Sequence, residues 1–214
     1  MIDIIPFQAS RPQFAPVHPA TRAYNTSTFL ILRGKEFMVH HPIELTHPLT
    51  TADKLTGLPL RRAFLERAAE MFARSSESRL GVAAILLDLD RIRRLNRTYG
   101  RSVGDEALRT VADILRQTVR PQDLCGRYRS AKFAVLLQCP ALADACRLGE
   151  RVRARVQAQP LLVEGQSVPL SISLGVFFTR GELPSVDALL VRAHLALLRA
   201  KRNGRDCWVC EEEP

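Results

Sequence analysis

The strongest constraint on how this chain folds is the run LGVAAILLDLD, which covers residues 80–90. Its first eight residues carry no polar side chain. A continuous apolar run of this length is typical of a strand that is buried on both faces of a sheet. The run ends in Asp88 and Asp90, and a buried carboxylate needs an ionic partner or a bound cation. The sequence therefore predicts a central strand with a polar site at its end.

Helices and strands alternate around this central strand. Pro59 suits the first turn of a helix, and the apolar residues after it recur at helical spacing. The segment LCGRYRSAKFAVLL, residues 124–137, predicts two strands folded back on each other, although its middle lacks the Gly, Asn or Asp that a tight turn favours. The alternation predicts an α/β layer fold. Further helices are predicted at about 91–98, 103–119, 141–158 and 185–203, and further strands in VPLSISLGVFF (168–178) and DCWVC (206–210).

Residues 1–50 differ in composition from the rest of the chain. They hold six of the thirteen prolines and four of the five histidines, and they show no helical periodicity. Within them, STFLILRGKEFMVH predicts a short β-hairpin that turns at Arg33 and Gly34. The histidines at 40, 41 and 47 lie beside prolines without a carboxylate pattern, which favours surface positions over a metal site. We expect a Pro-rich arm that docks on a protein partner, a domain over residues 51–211, and a solvated tail at 212–214.

The charge balance favours anionic partners. Lys and Arg number 31 against 22 Asp and Glu, which gives a formal net charge of +9. Nucleotides, nucleic acid and acidic proteins are the partner classes that such a charge attracts. Aromatic residues make up only 6% of the chain, and no nucleic-acid reading element is visible, so nucleic acid ranks last among these classes.

Cysteine usage and hydropathy favour the cytoplasm. The five cysteines are odd in number and scattered through apolar runs, which argues against a disulfide framework and for a reducing compartment. Cys207 and Cys210 form a single CxxC pair without a second pair to complete a zinc site. No apolar run approaches the roughly 20 residues of a membrane span, and the N-terminus lacks the order of a signal peptide. We therefore expect a cytoplasmic protein without a membrane segment.

Five motifs together resemble the GGDEF domain, the diguanylate cyclase family that joins two GTP molecules into cyclic di-GMP. Their order and spacing match the family from about residue 50 to residue 210. The resemblance implies an α/β (α+β) fold like that of nucleotidyl cyclases and polymerase palms, with a central, mostly antiparallel sheet flanked by helices. Active members of the family pair about a two-fold axis, so the resemblance is compatible with a homodimer of this chain. The motifs are DKLTGLPLRRAF (53–64), DLDRIRRLNRTYGRSVGDEAL (88–108), RPQDLCGRYRSAKF (120–133), SISLGV (171–176) and RAKRNGR (199–205).

The resemblance assigns a substrate site residue by residue. Asp88 matches a magnesium ligand, and Mg²⁺ is expected only if this site still binds GTP. Asn96 and Asp105 match the pair that reads guanine, since an amide and a carboxylate complement its ring N–H and amino groups. Lys201 and Arg205 match contacts to the triphosphate. The alternatives are structural: a capped strand end, local hydrogen bonds, and basic residues that complement a helix dipole.

The signature of the family is where this sequence departs from it. Gly-Gly-Asp/Glu-Glu-Phe falls on Arg129, Ser130, Ala131, Lys132 and Phe133, of which only the phenylalanine matches. In the family the two glycines let the backbone approach phosphates. The first acidic residue of the signature is a metal ligand, which Ala131 cannot replace. Lys132 stands in place of the second acidic residue and carries the opposite charge. Losing one strong electrostatic contributor commonly costs about 100- to 1000-fold in rate. The departures predict no useful cyclase activity and no required cofactor. Other departures are Leu60, Arg97, Arg101 and His194.

A second site of the family is retained in the sequence. Arg120 and Asp123 match the RxxD inhibitory site, five residues before the signature, and Arg151 matches the arginine that completes it. Two guanidinium groups can bind guanine Hoogsteen edges or phosphates, and the carboxylate can accept from guanine N–H groups. The alternative is that these residues close a helix, cap a turn and cover a surface.

The leading hypothesis is a catalytically inactive GGDEF-family signalling domain that binds cyclic di-GMP through the RxxD-type site and acts through protein partners. The first alternative is a structural or protein-interaction domain with vestigial sites. The second is a GTP-binding regulatory domain, in which Arg129 and Lys132 partly replace magnesium. The third is an active diguanylate cyclase that forms cyclic di-GMP from GTP.

Overall fold

The computed structural model describes residues 28–32, 35–39, 51–75, 80–180, 183 and 185–213. The chain forms two compact units, Met1–Pro48 and Leu49–Pro214. In the first unit, β1 (Thr28–Leu32) pairs antiparallel with β2 (Lys35–Val39) over the segment for which the sequence predicts a hairpin. The remainder of the predicted arm, including the histidines at 40, 41 and 47, lies outside the described residues.

The second unit alternates helices and strands as the sequence pattern predicts. A five-stranded sheet and a short hairpin carry its described strands. The hairpin that the sequence predicts over residues 124–137 is confirmed as β4 and β5. The elements are α1 (Arg61–Ser75), β3 (Gly81–Leu89), α2 (Ile92–Tyr99), α3 (Arg101–Thr118), β4 (Leu124–Arg129), β5 (Lys132–Cys139), α4 (Leu142–Gln157), β6 (Leu161–Val163), β7 (Gln166–Val168), β8 (Ile172–Thr179), α5 (Val186–Arg202) and β9 (Trp208–Glu212).

The central strand of the sheet is β3. The strand order is β4-β5-β3-β8-β9, and every neighbouring pair is antiparallel except β8 and β9, which are parallel. Every residue of β3 is buried, because its alternate side chains enter two separate apolar layers. Ala83, Ile85 and Leu87 pack with α3 and α4 on one face, while Val82 and Leu86 pack with α1 and α5 on the other. The predicted mostly antiparallel, palm-like sheet is confirmed.

Tertiary contacts shift the predicted starts of α1 and β9, and the strand predicted over 168–178 begins only at Ile172. Helix α1 begins at Arg61, so the predicted start at Pro59 is wrong. Pro59 instead bridges to Ala52, and its carbonyl accepts from the Arg127 N–H at 2.8 Å. Strand β9 begins at Trp208, and the preceding Cys207 donates its thiol to a helix carbonyl. Because the backbone at Pro59 is already hydrogen-bonded to strand β4, it cannot form the first turn of the helix that follows.

The sequence argues against a disulfide framework, but the structure joins one pair of cysteines. A disulfide joins Cys146 on α4 to Cys210 on β9, and the other three cysteines are free. The two sulfurs are 64 residues apart in the chain and meet because α4 packs beside β9. The number and spacing of the cysteines in the sequence do not indicate which of them become neighbours in the fold. In the parts of the chain that the structure describes, no helix has the length and hydropathy to cross a membrane.

Candidate functional site

A tight turn joins β4 to β5 at residues 130 and 131, and Arg129 pairs with Lys132 across it. Ser130 has φ +50°, in the left-handed region that glycine adopts most readily. Ala131 is buried, and its carbonyl accepts from the Leu89 N–H at 3.2 Å. The turn is therefore fastened to the end of the central strand.

Arg127 holds this turn from the strand before it. Its Nε donates to the Ser130 carbonyl at 2.9 Å, and its Nη1 donates to Asp53 Oδ1 at 2.7 Å. The Thr56 N–H and hydroxyl donate to the same carboxylate oxygen. Burial raises the pKa of the Asp53 carboxyl, but these hydrogen bonds and the Arg127 charge lower it by more. The pKa of Asp53 therefore lies below its ordinary value. Asp53 opens the first of the five motifs, but neither Asp53 nor Arg127 is predicted from the sequence as a site residue, since their contact joins positions 74 residues apart.

Asp88, which matches a magnesium ligand in the family, forms an ion pair instead. Lys201 Nζ lies 2.8 Å from Asp88 Oδ2. Both side chains are largely buried, at 27% exposed for Lys201 and 11% for Asp88. In the sheet, Asp88 lies opposite Lys132 on one side and Ser173 on the other. The partner that a buried carboxylate requires is thus supplied by the protein.

Asp90 has a structural role at the same strand end. Its Oδ1 accepts from the Ser173 hydroxyl at 2.7 Å. Its Oδ2 accepts from the Ser171 hydroxyl and from the Asp206 N–H, both at 3.1 Å. The carboxylate therefore ties β3 to β8 and to the segment that leads into β9.

The residues around Asp88 do not fit a divalent cation. Mg²⁺ prefers near-octahedral oxygen ligands, commonly one or two carboxylates with water and phosphate. Ala131 offers a methyl group, the Asp90 carboxylate is committed to three donors, and the Lys201 ammonium takes an oxygen of Asp88. Over the described ranges, no group of three His, Cys, Asp or Glu side chains could hold a metal ion.

A small cavity of about 170 Å³ opens beside the turn. Burial and then the Lys132 charge lower the pKa of His194, against the opposing charge of Asp88. The imidazole is therefore neutral at neutral pH, and the positive charge of the cavity comes from Arg129 and Lys132. The lining residues are Leu86, Tyr128, Arg129, Lys132, Leu190, Val191 and His194.

The structure brings Asn96 and Asp105 to the same corner between α2 and α3. Asn96 Oδ1 is buried and has no hydrogen-bond partner among the described residues. It lies against Gly104, where a Cβ would approach it to 1.7 Å. Asp105 follows this glycine and is partly exposed. A buried acceptor without a partner is uncommon in folded proteins, and the guanine-reading role of Asn96 and Asp105 stays a prediction.

Lys201 and Arg205, which both match triphosphate contacts in the family, point to different places. Lys201 is engaged with Asp88. Arg205 lies past the end of α5 with φ +70° and lines a second cavity of about 530 Å³, together with Arg91 and Arg94. Lys201 does not line that cavity. The predicted pair is therefore divided between two surfaces.

The structure gathers the residues that match the RxxD-type site. Arg120 and Asp123 form a turn between α3 and β4, in which the Asp123 N–H donates to the Arg120 carbonyl at 3.0 Å. Arg151 on α4 donates from Nη2 to the Thr118 carbonyl at 2.9 Å, two residues before Arg120. Burial raises the pKa of Asp123, while the Arg120 charge and a backbone hydrogen bond oppose the increase. Two guanidinium groups and one carboxylate thus occur around the end of one helix.

Comparison with known proteins identifies the family. The family model described as "Diguanylate cyclase, GGDEF domain" matches residues 50–207. This chain belongs to the GGDEF family. The response regulator PleD of Caulobacter vibrioides is 33% identical over 196 residues, which are 91% of this chain and 43% of PleD. The diguanylate cyclase DgcP of Pseudomonas aeruginosa is 34% identical over 167 residues, which are 78% of this chain and 25% of DgcP. This chain spans less than half the length of these relatives.

Solved structures confirm the GGDEF fold. The GGDEF domain of DgcB from Caulobacter crescentus, crystallised in complex with c-di-GMP, superposes with a TM-score of 0.71 at 26% identity and covers 75% of this chain and 95% of that one. The diguanylate cyclase SiaD of Pseudomonas aeruginosa, crystallised with its activator SiaC, has a TM-score of 0.68 at 36% identity and covers 77% of this chain and 62% of that one. Related GGDEF domains therefore bind c-di-GMP or a protein activator.

Proposed function

We propose that this chain is a catalytically inactive GGDEF-family signalling domain that binds cyclic di-GMP through Arg120, Asp123 and Arg151. A protein partner, bound through residues 1–50, receives the signal. The observation that carries the proposal is the hydrogen bond from Arg151 to the Thr118 carbonyl at 2.9 Å, since it holds a second guanidinium next to the Arg120 turn. The c-di-GMP complex of DgcB and the activator complex of SiaD support the choice of ligand and the role of a protein partner.

The chemistry of these three side chains suits a guanine dinucleotide. Arginine presents five N–H donors in a planar fork, so Arg151 keeps donors free after its bond to Thr118. Such a fork can bind the Hoogsteen edge of guanine or a phosphate through two parallel hydrogen bonds. The Asp123 carboxylate complements this by accepting from the guanine N1–H and amino group.

The turn between β4 and β5 supports the absence of cyclase activity. Metal-dependent phosphoryl transfer needs cations that neutralise the triphosphate and lower the pKa of the attacking hydroxyl. Here Ala131 provides no carboxylate, and Asp88 is paired with Lys201. Each lost electrostatic contributor costs about 100- to 1000-fold in rate. We expect chromatography to detect no cyclic di-GMP after incubation with GTP and Mg²⁺, and formation of that product would overturn this part of the proposal.

Calorimetric titration of cyclic di-GMP into the whole chain tests the binding site. We expect micromolar affinity that is abolished in Arg120→Ala. Arg109→Ala is the matched control, because it removes the same charge from an exposed side chain on α3 that, among the described residues, is paired only with Glu106. Absence of binding at millimolar ligand, or equal affinity in Arg120→Ala, would refute the proposed site.

A further inference from the structure

We infer that the cleft at the end of β3 binds phosphate-bearing anions without a divalent cation, because lysine side chains take the position of the metal beside Asp88. This cleft, formed by Asp88, Lys201 and the cavity lined by Arg129, Lys132 and His194, is separate from the proposed cyclic di-GMP site. The inference therefore does not depend on the binding of cyclic di-GMP.

The ion pair between Lys201 and Asp88 is the first observation that supports binding of an anion without a metal ion. The two charged atoms are 2.8 Å apart, and both side chains are largely buried. A divalent cation at Asp88 would have to displace the Lys201 ammonium and would then lie close to it. Repulsion between cations grows strongly where the surroundings are poor in water. Lys132, directly opposite Asp88 in the sheet, adds to this repulsion.

The unpaired positive charge around the cavity is the second observation. Among the described residues, neither Arg129 nor Lys132 forms an ion pair. No carboxylate lines the cavity, and Leu86, Leu190 and Val191 form its apolar walls. Low-dielectric walls concentrate the field of charges at a cleft. The cavity is therefore suited to an anion.

The size of the cavity indicates which part of a ligand it takes. Its volume of about 170 Å³ lies below the roughly 300 Å³ at which pockets for whole small molecules begin. Arg and Lys are the side chains that bind phosphate, through a fork and a point charge respectively. The ligand class is thus an oligophosphate or the phosphate end of a nucleotide, with Lys132 and Arg129 as its direct contacts.

Calorimetric titration of inorganic tripolyphosphate into the whole chain in excess EDTA tests the inference. We expect saturable binding that Mg²⁺ does not strengthen. Lys132→Met, and separately Arg129→Met at the exposed turn, should each weaken binding at least tenfold. Arg147→Met on α4, whose side chain is 73% exposed, should change it less than twofold. Dependence on Mg²⁺, lack of binding, or equal losses in the Arg147 control would overturn the inference.

Electron paramagnetic resonance of Mn²⁺ provides the second arm of the test. Without phosphate, we expect no protein-bound Mn²⁺ at millimolar metal concentration. The triple variant Ala131→Glu, Lys132→Met, Lys201→Met restores a second carboxylate and removes both ammonium groups. It should bind Mn²⁺ at least tenfold more tightly than the wild type does. Tight Mn²⁺ binding by the wild type would contradict the displacement of metal by lysine.

Discussion

Single residues at the turn between β4 and β5 act against local conformational preference. Ser130 has φ +50°, and an L-residue with a side chain loses about 1–2 kcal/mol in the left-handed region. The conformation persists because Arg127 bonds to the Ser130 carbonyl and Leu89 bonds to the Ala131 carbonyl. The surrounding structure thus sets a backbone geometry that serine does not favour.

Ser130→Gly tests this strain. We expect the free energy of unfolding to rise by about 0.5–1 kcal/mol, since relief of the φ strain exceeds the extra entropy of glycine in the unfolded chain. Urea denaturation measures the change. Ser102→Gly is the control of opposite sign, because it places glycine in the first turn of α3 and should lower stability by up to about 1 kcal/mol. A loss of stability in Ser130→Gly would show that the turn is not strained.

Asp123 is a second residue whose chemistry opposes stability. Burial raises its pKa above the ordinary value of 3.8. The ionised form therefore destabilises the folded state, and this cost is absent below the unfolded-state pKa and complete above the folded-state pKa. Residues kept at the expense of stability commonly serve a site. This agrees with the proposed role of Asp123 in binding.

Asp123→Asn removes the cost of ionisation. We expect the stability of the variant relative to the wild type to increase as the pH rises from about 3, measured by urea unfolding at several pH values. Asp113→Asn, which changes an exposed carboxylate on α3, is the control and should bring no gain in stability from relief of burial. The same Asp123 variant should lose cyclic di-GMP binding. A stability difference that does not change with pH would contradict the burial argument.

At the scale of elements, the close packing of α5 on β8 decides how the cleft is built. Gly175 lies where the two elements meet, and a Cβ there would approach the Leu197 N atom to 2.1 Å and the Ala193 carbonyl oxygen to 2.2 Å. Both atoms belong to the helix backbone and cannot move independently. The absence of a side chain lets α5 approach the sheet closely, and its last turn carries Lys201 to Asp88.

Gly175→Ala should therefore separate α5 from the sheet. We expect a loss of stability of about 1–3 kcal/mol or more from overpacking, measured by thermal and urea unfolding. Gly149→Ala is the matched control in α4. Its Cβ would meet Val176 and Leu174 at ordinary distances of 3.7 and 3.8 Å, so helix propensity should raise stability by about 0.5–1 kcal/mol. Equal effects at both glycines would refute the close-packing explanation.

At the scale of the whole molecule, a disulfide adds a constraint on the unfolded chain. Cys146 and Cys210 are separated by 64 residues, and the loop between them includes β8 and α5. Closing a loop of this length restricts the unfolded ensemble, which commonly stabilises a fold by about 2–4 kcal/mol. The bridge also connects the edge strand β9 to α4.

Removal of this bridge should be measurable in the complete chain. We expect Cys146→Ser to lower the free energy of unfolding by about 2–4 kcal/mol under oxidising conditions, as measured by urea denaturation. Added reductant should lower the stability of the wild type to that of the variant. Cys207→Ser, which alters a free thiol, is the control and should keep the sensitivity to reductant. A wild type that is insensitive to reductant would argue against the bridge.

The sequence by itself determined the order of the main elements and the family. The continuous apolar run of β3 predicts its burial on both faces, and the amphipathic spacing after Pro59 predicts α1. These patterns are local, because each reflects the environment along one helix or strand. The β6–β7 hairpin was not predicted, since three-residue strands are too short to show a periodicity. Spacing of the motifs also led to the prediction that Asp88, Asn96 and Arg120 belong to sites, which stays a prediction.

Only the tertiary structure decided what those side chains contact. The Lys201–Asp88 pair and the disulfide each join residues that are far apart in the chain. The Arg127–Asp53 pair and the bond from Arg151 to the Thr118 carbonyl are likewise long-range. Such contacts depend on which elements become neighbours and how closely they approach, and composition and spacing record neither. The sequence therefore indicates which residues are charged, and the packing of α5 and α4 on the sheet decides which charges are paired.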